Sequence, residues 1–279
     1  HNRVVAYFPV VTGSPMNATA RLPSLYISHG SPMTALDPKL VGVRLGELAR
    51  TLPRPRAVVI ASAHWLARSP LVGGSARPET IHDFGGFPQA LFDIQYPAPG
   101  APEVAGRVAQ LLDQAGLAPH IDPNRGLDHG MWVPLRLLYP DADVPVVPLS
   151  IQPLAGPAHQ LAVGRALAPL RDEGVLVIGS GSLTHNLHDW RGADHTRQAP
   201  YVQPYIDWVE ATLRQGDVQA LLDYRRRAPN AAQAHPTDEH WQPIYVALGA
   251  AGERFRATRI DAGIDPVSYT HLTLPTIYS

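Results

Sequence analysis

Short apolar runs, each closed by histidine, glycine or proline, recur along the chain. LPSLYIS (22–28) leads into His29-Gly30-Ser31-Pro32, and RAVVIASA (56–63) leads into His64-Trp65. GVLVIGSGSLT (174–184) leads into His185-Asn186. Such Val-, Ile- and Leu-rich runs are the mark of strands covered on both faces. VPVVPLSI (144–151) reads as another, Leu71-Val72 as a short one, and about 254–260 as a last short strand. Between the runs the apolar spacing becomes helical. Leu40, Val43, Leu45 and Leu48 predict a helix over 38–51; Pro102 and Gly116 bound one over 102–116. Further helices are predicted over 157–172, 201–214 and 237–250. The alternation predicts a single α/β domain: a mixed, largely parallel central sheet flanked by helices. Ligands of such sheets bind outside the carboxyl ends of the strands, so a metal site is expected there.

No Ser/Gly-rich linker divides the chain, and residues 22–262 are expected to form one domain. Residues 1–21 and 263–279 are set aside as non-core or non-native extensions. The first lacks the basic and apolar regions of a signal peptide, and Met16 is the expected start. The second, with His271, lacks periodicity and resembles vector or adapter read-through.

Charge narrows the function classes. The 23 basic and 24 acidic side chains leave a formal net charge of −1, which gives no footprint for nucleic acid or an anionic membrane. No apolar run approaches the ~20 residues of a membrane span. There is no cysteine, so disulfides and thiolate metal sites are excluded and any metal must be held by His, Asp or Glu. A cytoplasmic protein is expected.

A single histidine beside a strand is ordinarily a hydrogen-bonded structural residue. Four at element boundaries, His29, His64, His185 and His240, make a metal site a serious reading, because neutral imidazole is the commonest metal ligand. His129 follows Asp128 in a glycine-flanked loop, where the carboxylate would bias its proton affinity; it is a candidate acid–base group. Trp65 and Trp132 are candidates for a pocket wall or the core. Gly179-Ser180-Gly181-Ser182 lacks the Gly-Lys-Ser/Thr ending of a phosphate loop and the Gly-x-Gly-x-x-Gly fingerprint, so nucleotide binding is rejected. No Gly-x-Ser-x-Gly elbow is present. Thr237 reads as a helix N-cap with Asp238 and Glu239 in the first turn. Adjacent helical positions diverge by ~100°, so only one of Glu239 and His240 would face a given metal.

Six blocks occur together in order: His29-Gly30-Ser31-Pro32-Met33, Ser62-Ala63-His64-Trp65, Ile81-His82-Asp83-Phe84-Gly85-Gly86-Phe87-Pro88, Asp128-His129-Gly130, Thr184-His185-Asn186-Leu187 and Pro236-Thr237-Asp238-Glu239-His240. In this the chain resembles the DODA-type extradiol aromatic ring-opening dioxygenases, the 4,5-DOPA dioxygenase relatives of class III extradiol enzymes. The resemblance runs from about residue 22 to 262.

That resemblance implies a divalent metal, Zn(II) or Fe(II), at His29, His64 and His240. His185 would be a fourth ligand or an acid–base residue. It implies a catechol such as DOPA and O₂ as substrates, with ring opening beside the two hydroxyls. His185 or His129 would move the catechol proton, and His82 and Asp83 would line the pocket or support its ligands. Protocatechuate-type relatives use two histidines and a carboxylate; here His240 takes the carboxylate's place, with Glu239 beside it. Two alternatives stand on the same scaffold: a zinc hydrolase-like enzyme with a metal-bound water as nucleophile, and a non-enzymatic MEMO-like binding protein.

Overall fold

The computed structural model describes residues 21–190, 199–261 and 272–275. Met16 and His271 lie outside the described residues.

Five strands follow from the apolar runs: β1 (Ser24–Ser28), β2 (Ala57–Leu66), β3 (Leu71–Gly73), β5 (Val146–Ile151) and β6 (Val175–Gly181); β4 (His120–Asp122), largely exposed, follows from no such run and pairs parallel with β3. Two more, β7 (Ile260–Asp261) and β8 (Leu272–Pro275), complete an order of β4-β3-β5-β2-β6-β1-β8-β7. β5, β2, β6 and β1 run parallel, with Val58 opposite both Val146 and Leu176, and Tyr26 opposite Gly179. Helices cover both faces of these central strands, which explains their nearly unbroken burial and apolar sequence. Among the described residues no helix is long and apolar enough to cross a membrane.

The elements depart from the pattern in instructive places. The first helix is Lys39–Thr51, but it buries Val41, Leu45 and Leu48, while Leu40 and Val43 face solvent. The 157–172 helix is Gly156–Leu167 followed by a 3₁₀ turn at Ala168–Arg171, because Pro169 cannot donate within a continuing helix. The last helix begins at Pro243, not at 237. Pro243 takes a first-turn position, where its missing N–H costs nothing. The expected strand over 254–260 reduces to Ile260–Asp261. Leu272–Pro275, set aside on its sequence, pairs antiparallel with β1. A helix at His129–Leu138 was not anticipated.

One buried histidine belongs to the fold rather than to the site. His235 is fully buried beside Tyr205, Tyr224 and Trp241. Its Nε2–H donates to the Leu183 carbonyl at 2.7 Å, and its Nδ1 has no hydrogen-bond partner. Burial disfavours the cation and pulls its pKa to about 3, against the opposing pull of the Leu183 bond. The folded chain therefore keeps His235 neutral where the unfolded chain, titrating near 6.5, takes a proton. Stability from this group is lost as pH falls below about 6.5, at about 1.4 kcal/mol per pH unit, until pH approaches 3. Between pH 6.5 and 4.5 the wild type is expected to lose about 2 kcal/mol more than His235→Gln, which keeps a donor for Leu183. Urea unfolding at the two pH values measures the difference; equal losses in both proteins would refute the assignment.

Candidate active site

Because β1, β2 and β6 are parallel, their carboxyl ends share one edge of the sheet. His29 follows β1 directly, and its N–H donates to the Gly181 carbonyl at the end of β6. His64 lies inside β2, beyond the register shift that follows Ala61. His185 follows β6 by four residues, and its N–H donates to Ala234. His240 is not on a helix: it lies in the turn before Pro243–Ala251. The end of β6 holds that turn in place. A Cβ on Gly181 would meet the His240 carbonyl at 2.1 Å, and the Ser182 N–H donates to the same oxygen at 2.8 Å. Glycine is therefore needed at 181 for the two backbones to touch.

Three imidazoles meet nitrogen to nitrogen. His64 Nε2 lies 3.1 Å from His29 Nε2 and 3.3 Å from His240 Nε2. His129 packs on His64 with ring centroids 4.0 Å apart, and His185 stacks flat on His240 at 3.5 Å and 6°. Burial, and then mutual repulsion, hold His29 and His240 well below the usual histidine range. Burial and the neighbouring His129 bring His64 to about 3, and burial lowers His185. Ligand histidines must be neutral to offer a lone pair, and these are.

The outward-facing nitrogens have their own partners. His29 Nδ1 donates to Ser180 Oγ at 3.0 Å, and Ser180 in turn donates to the Gly130 carbonyl. That carbonyl is free because Pro134, four residues on, has no N–H to return to it. His240 Nδ1 meets Glu239 Oε1 at 3.1 Å. Both contacts fix the Nδ1–H tautomer and leave Nε2 as the lone pair, the usual arrangement behind metal-bound histidine. The fit to a metal is quantitative. Bonds of about 2.0–2.1 Å set tetrahedral ligand atoms about 3.3 Å apart, close to the separations of 3.1 and 3.3 Å seen here. His29, His64 and His129 also form a group with ligand atoms within 4.8 Å, and so do His185, Glu239 and His240.

Asp128, expected to act on His129, turns away from it. Its Oδ1 accepts from Ser62 Oγ at 2.7 Å and its Oδ2 from Arg125 at 2.6 Å, while the Arg125 guanidinium lies 4.7 Å over Trp65. The carboxylate on His129 is Asp83. Burial raises its pKa, but the hydrogen bonds it accepts from His129 prevail and hold it at about 2. His82 is tied by Nε2 to the Ile94 carbonyl, with its ring against Phe84, Phe92 and Trp132. Trp132 is core, its Nε1 donating to Ile81. Thr237 bonds Glu239 instead of capping a helix, so Glu239 and His240 are not consecutive helical positions. Sequence reasoning missed Ser180, Ser62 and Arg125. A serine inside a strand buried on both faces must find a partner, and that signal marks Ser180.

Five histidines gathered at the carboxyl edge of a parallel sheet, with acceptors behind their rings, define a metal-binding enzyme site. Comparison with known proteins supplies the family. Residues 24–271 match the catalytic LigB subunit of aromatic ring-opening dioxygenase, and the chain belongs to that family. It is 42% identical over 249 residues to a 4,5-DOPA dioxygenase extradiol of Beta vulgaris, covering 86% of this chain and 92% of the relative. It is also 42% identical over 246 residues to one of the same name from Escherichia coli K12, covering 87% and 89%. A crystal structure of an uncharacterized Escherichia coli K12 protein superimposes with a TM-score of 0.75 at 34% identity, covering 91% of this chain and 99% of that one. The chain is thus a metal-dependent oxidoreductase acting on an aromatic substrate with O₂. The hydrolase and binding-module alternatives are not favoured by these relatives.

Proposed function

We propose that the chain opens the ring of a catechol such as DOPA at the bond beside its two hydroxyls, with Fe(II) held by His29, His64 and His240. The observation that carries the metal set is the meeting of three Nε2 atoms whose Nδ1 atoms face Ser180, Asp83 or Glu239. Zn(II) would suit the same imidazoles but brings no redox chemistry. Ferrous iron, when bound, supplies the electron path between catechol and O₂; both oxygen atoms enter the product, so no external reductant is needed. The absence of cysteine fits a cytoplasmic setting.

The chain's own residues manage the protons. His129 has Nδ1 occupied by Asp83, so Nε2 remains to take a catechol proton. His185, lowered by burial, is neutral at pH 7 and is the second proton-transfer group. Phe84, edge-on to His129 at 5.7 Å, gives that ring an apolar neighbour.

The test is anaerobic loading with Fe(II) followed by O₂ uptake with a panel of catechols that includes DOPA. Uptake with a yellow ring-opened product is expected. His185→Ala should keep its metal and lose about 10²-fold or more in rate, the usual worth of a proton-transfer group. Iron-loaded protein that consumes no O₂ with any catechol would overturn the reading, and an unchanged His185→Ala would remove that residue from it.

A further inference from the structure

The sequence neighbour of His129 does not hold its ring; a residue 46 positions away does. Asp83 Oδ1 accepts both the backbone N–H of His129 and its Nδ1–H, each at 2.9 Å. The first bond satisfies an otherwise orphaned donor at the start of the helix His129–Leu138, where Asp128 makes no side-chain cap. The second fixes the imidazole against the same oxygen. One carboxylate oxygen thus sets both the backbone and the ring of His129. The other, Oδ2, lies 3.7 Å from His64 Nδ1, so a single carboxylate faces the candidate proton-transfer residue and a candidate metal ligand. The next residue, Phe84, closes on the His129 ring at 85°. Gly85 and Gly86 follow, and the latter has a φ of +75°, which lets the loop turn back immediately after these contacts.

We propose that Asp83 is a positioning residue for ring opening: it holds His129 as the Nδ1–H tautomer, which leaves Nε2 as the nitrogen that exchanges the substrate proton. This rests on the reading of His129 given above. A carboxylate that is lost here leaves His129 free to protonate either nitrogen and to rotate; His64 loses the carboxylate facing its Nδ1, while His29 and His240 keep Ser180 and Glu239.

Two readouts test it. In Zn(II)-loaded protein with ¹⁵N-labelled histidine, the His129 signals are expected to show a protonated Nδ1 in the wild type. Asp83→Ala should lose that preference. In Fe(II)-loaded protein, Asp83→Ala should lose about 10- to 100-fold in kcat, the usual cost of removing such a support. KM should change little, and the loss in kcat should persist when it is expressed per bound iron, whatever metal Asp83→Ala loses through His64. Asp83→Asn, which keeps an acceptor oxygen, should recover part of kcat and serves as the second variant if alanine unfolds the loop. An unaltered His129 tautomer in both variants, or a kcat loss matched by lost metal, would overturn the proposal. If the wild type opens no catechol, the functional reading has failed, and the nitrogen spectra still decide the role of Asp83.

Discussion

Replacing His64 with alanine is expected to strip the metal from the protein and to abolish ring opening. His64 is the central member of the cluster, since its Nε2 is the atom that approaches both His29 and His240. A four-ligand zinc site is worth about 10–16 kcal/mol, or about 2.5–4 kcal/mol per ligand, so one lost imidazole should weaken binding by about 10²- to 10³-fold. The apo protein should not suffer in proportion. His64 is a half-buried imidazole held at about 3 by desolvation and by His129, so its removal relieves a group that the metal-free fold keeps neutral at a cost. The metal-free melting temperature should therefore change little, whereas the rise on metal addition, which reports preferential binding to the folded state, should vanish. Competition titration with a chromophoric chelator measures the first effect and thermal denaturation the second. A variant that keeps wild-type affinity would remove His64 from the ligand set.

The parts of this site that were legible in the sequence are those with a local cause. A parallel strand buried on both faces must be apolar throughout, so β1, β2 and β6 and the histidines near their ends stood out. The parts that were not legible depend on partners far along the chain. Thr237, Asp238 and Glu239 have the composition of a helix start. Asp238 is instead taken by a tertiary contact, accepting from Tyr224 at 2.6 Å and from Arg225, and this leaves Thr237 and Glu239 to bond each other and His240. The helix His129–Leu138 was hidden by Pro134, which reads as a breaker. The same proline frees the Gly130 carbonyl for Ser180, and through it orients His29. Asp128 looked like the partner of His129 because it is adjacent, but sequence adjacency says nothing about where a carboxylate turns. Ser62 and Arg125 claim it first.

The second large effect lies far from the chemistry. Arg171 is buried to 1% exposure, and burial, together with nearby Arg21, lowers its pKa to about 10, so it remains a cation at neutral pH. Its Nε donates to the Leu22 carbonyl at 2.6 Å, and its Nη1 to the carbonyls of Ala250 and Ala251 at 3.0 and 2.8 Å. The last two end the helix Pro243–Ala251, where unpaired carbonyls and the helix dipole both favour a positive charge. Arg171→Met leaves three buried acceptors without this donor. At about 1–3 kcal/mol for each, with partial relaxation, the loss is about 3–5 kcal/mol. That is a large share of the roughly 5–15 kcal/mol that holds a domain together, and it should lower Tm by about 10 °C. Arg171→Lys should recover only part, because a single ammonium cannot span the fork of carbonyls. Urea unfolding of the metal-free protein measures the loss, and a change below about 1 kcal/mol would show that the carbonyls find other donors. The same guanidinium ties the entry of β1, which leads to His29, to the helix that follows His240. Arg171→Met is therefore also expected to bind metal more weakly than its loss of global stability accounts for, since the two proposed ligands, His29 and His240, come from opposite ends of the domain.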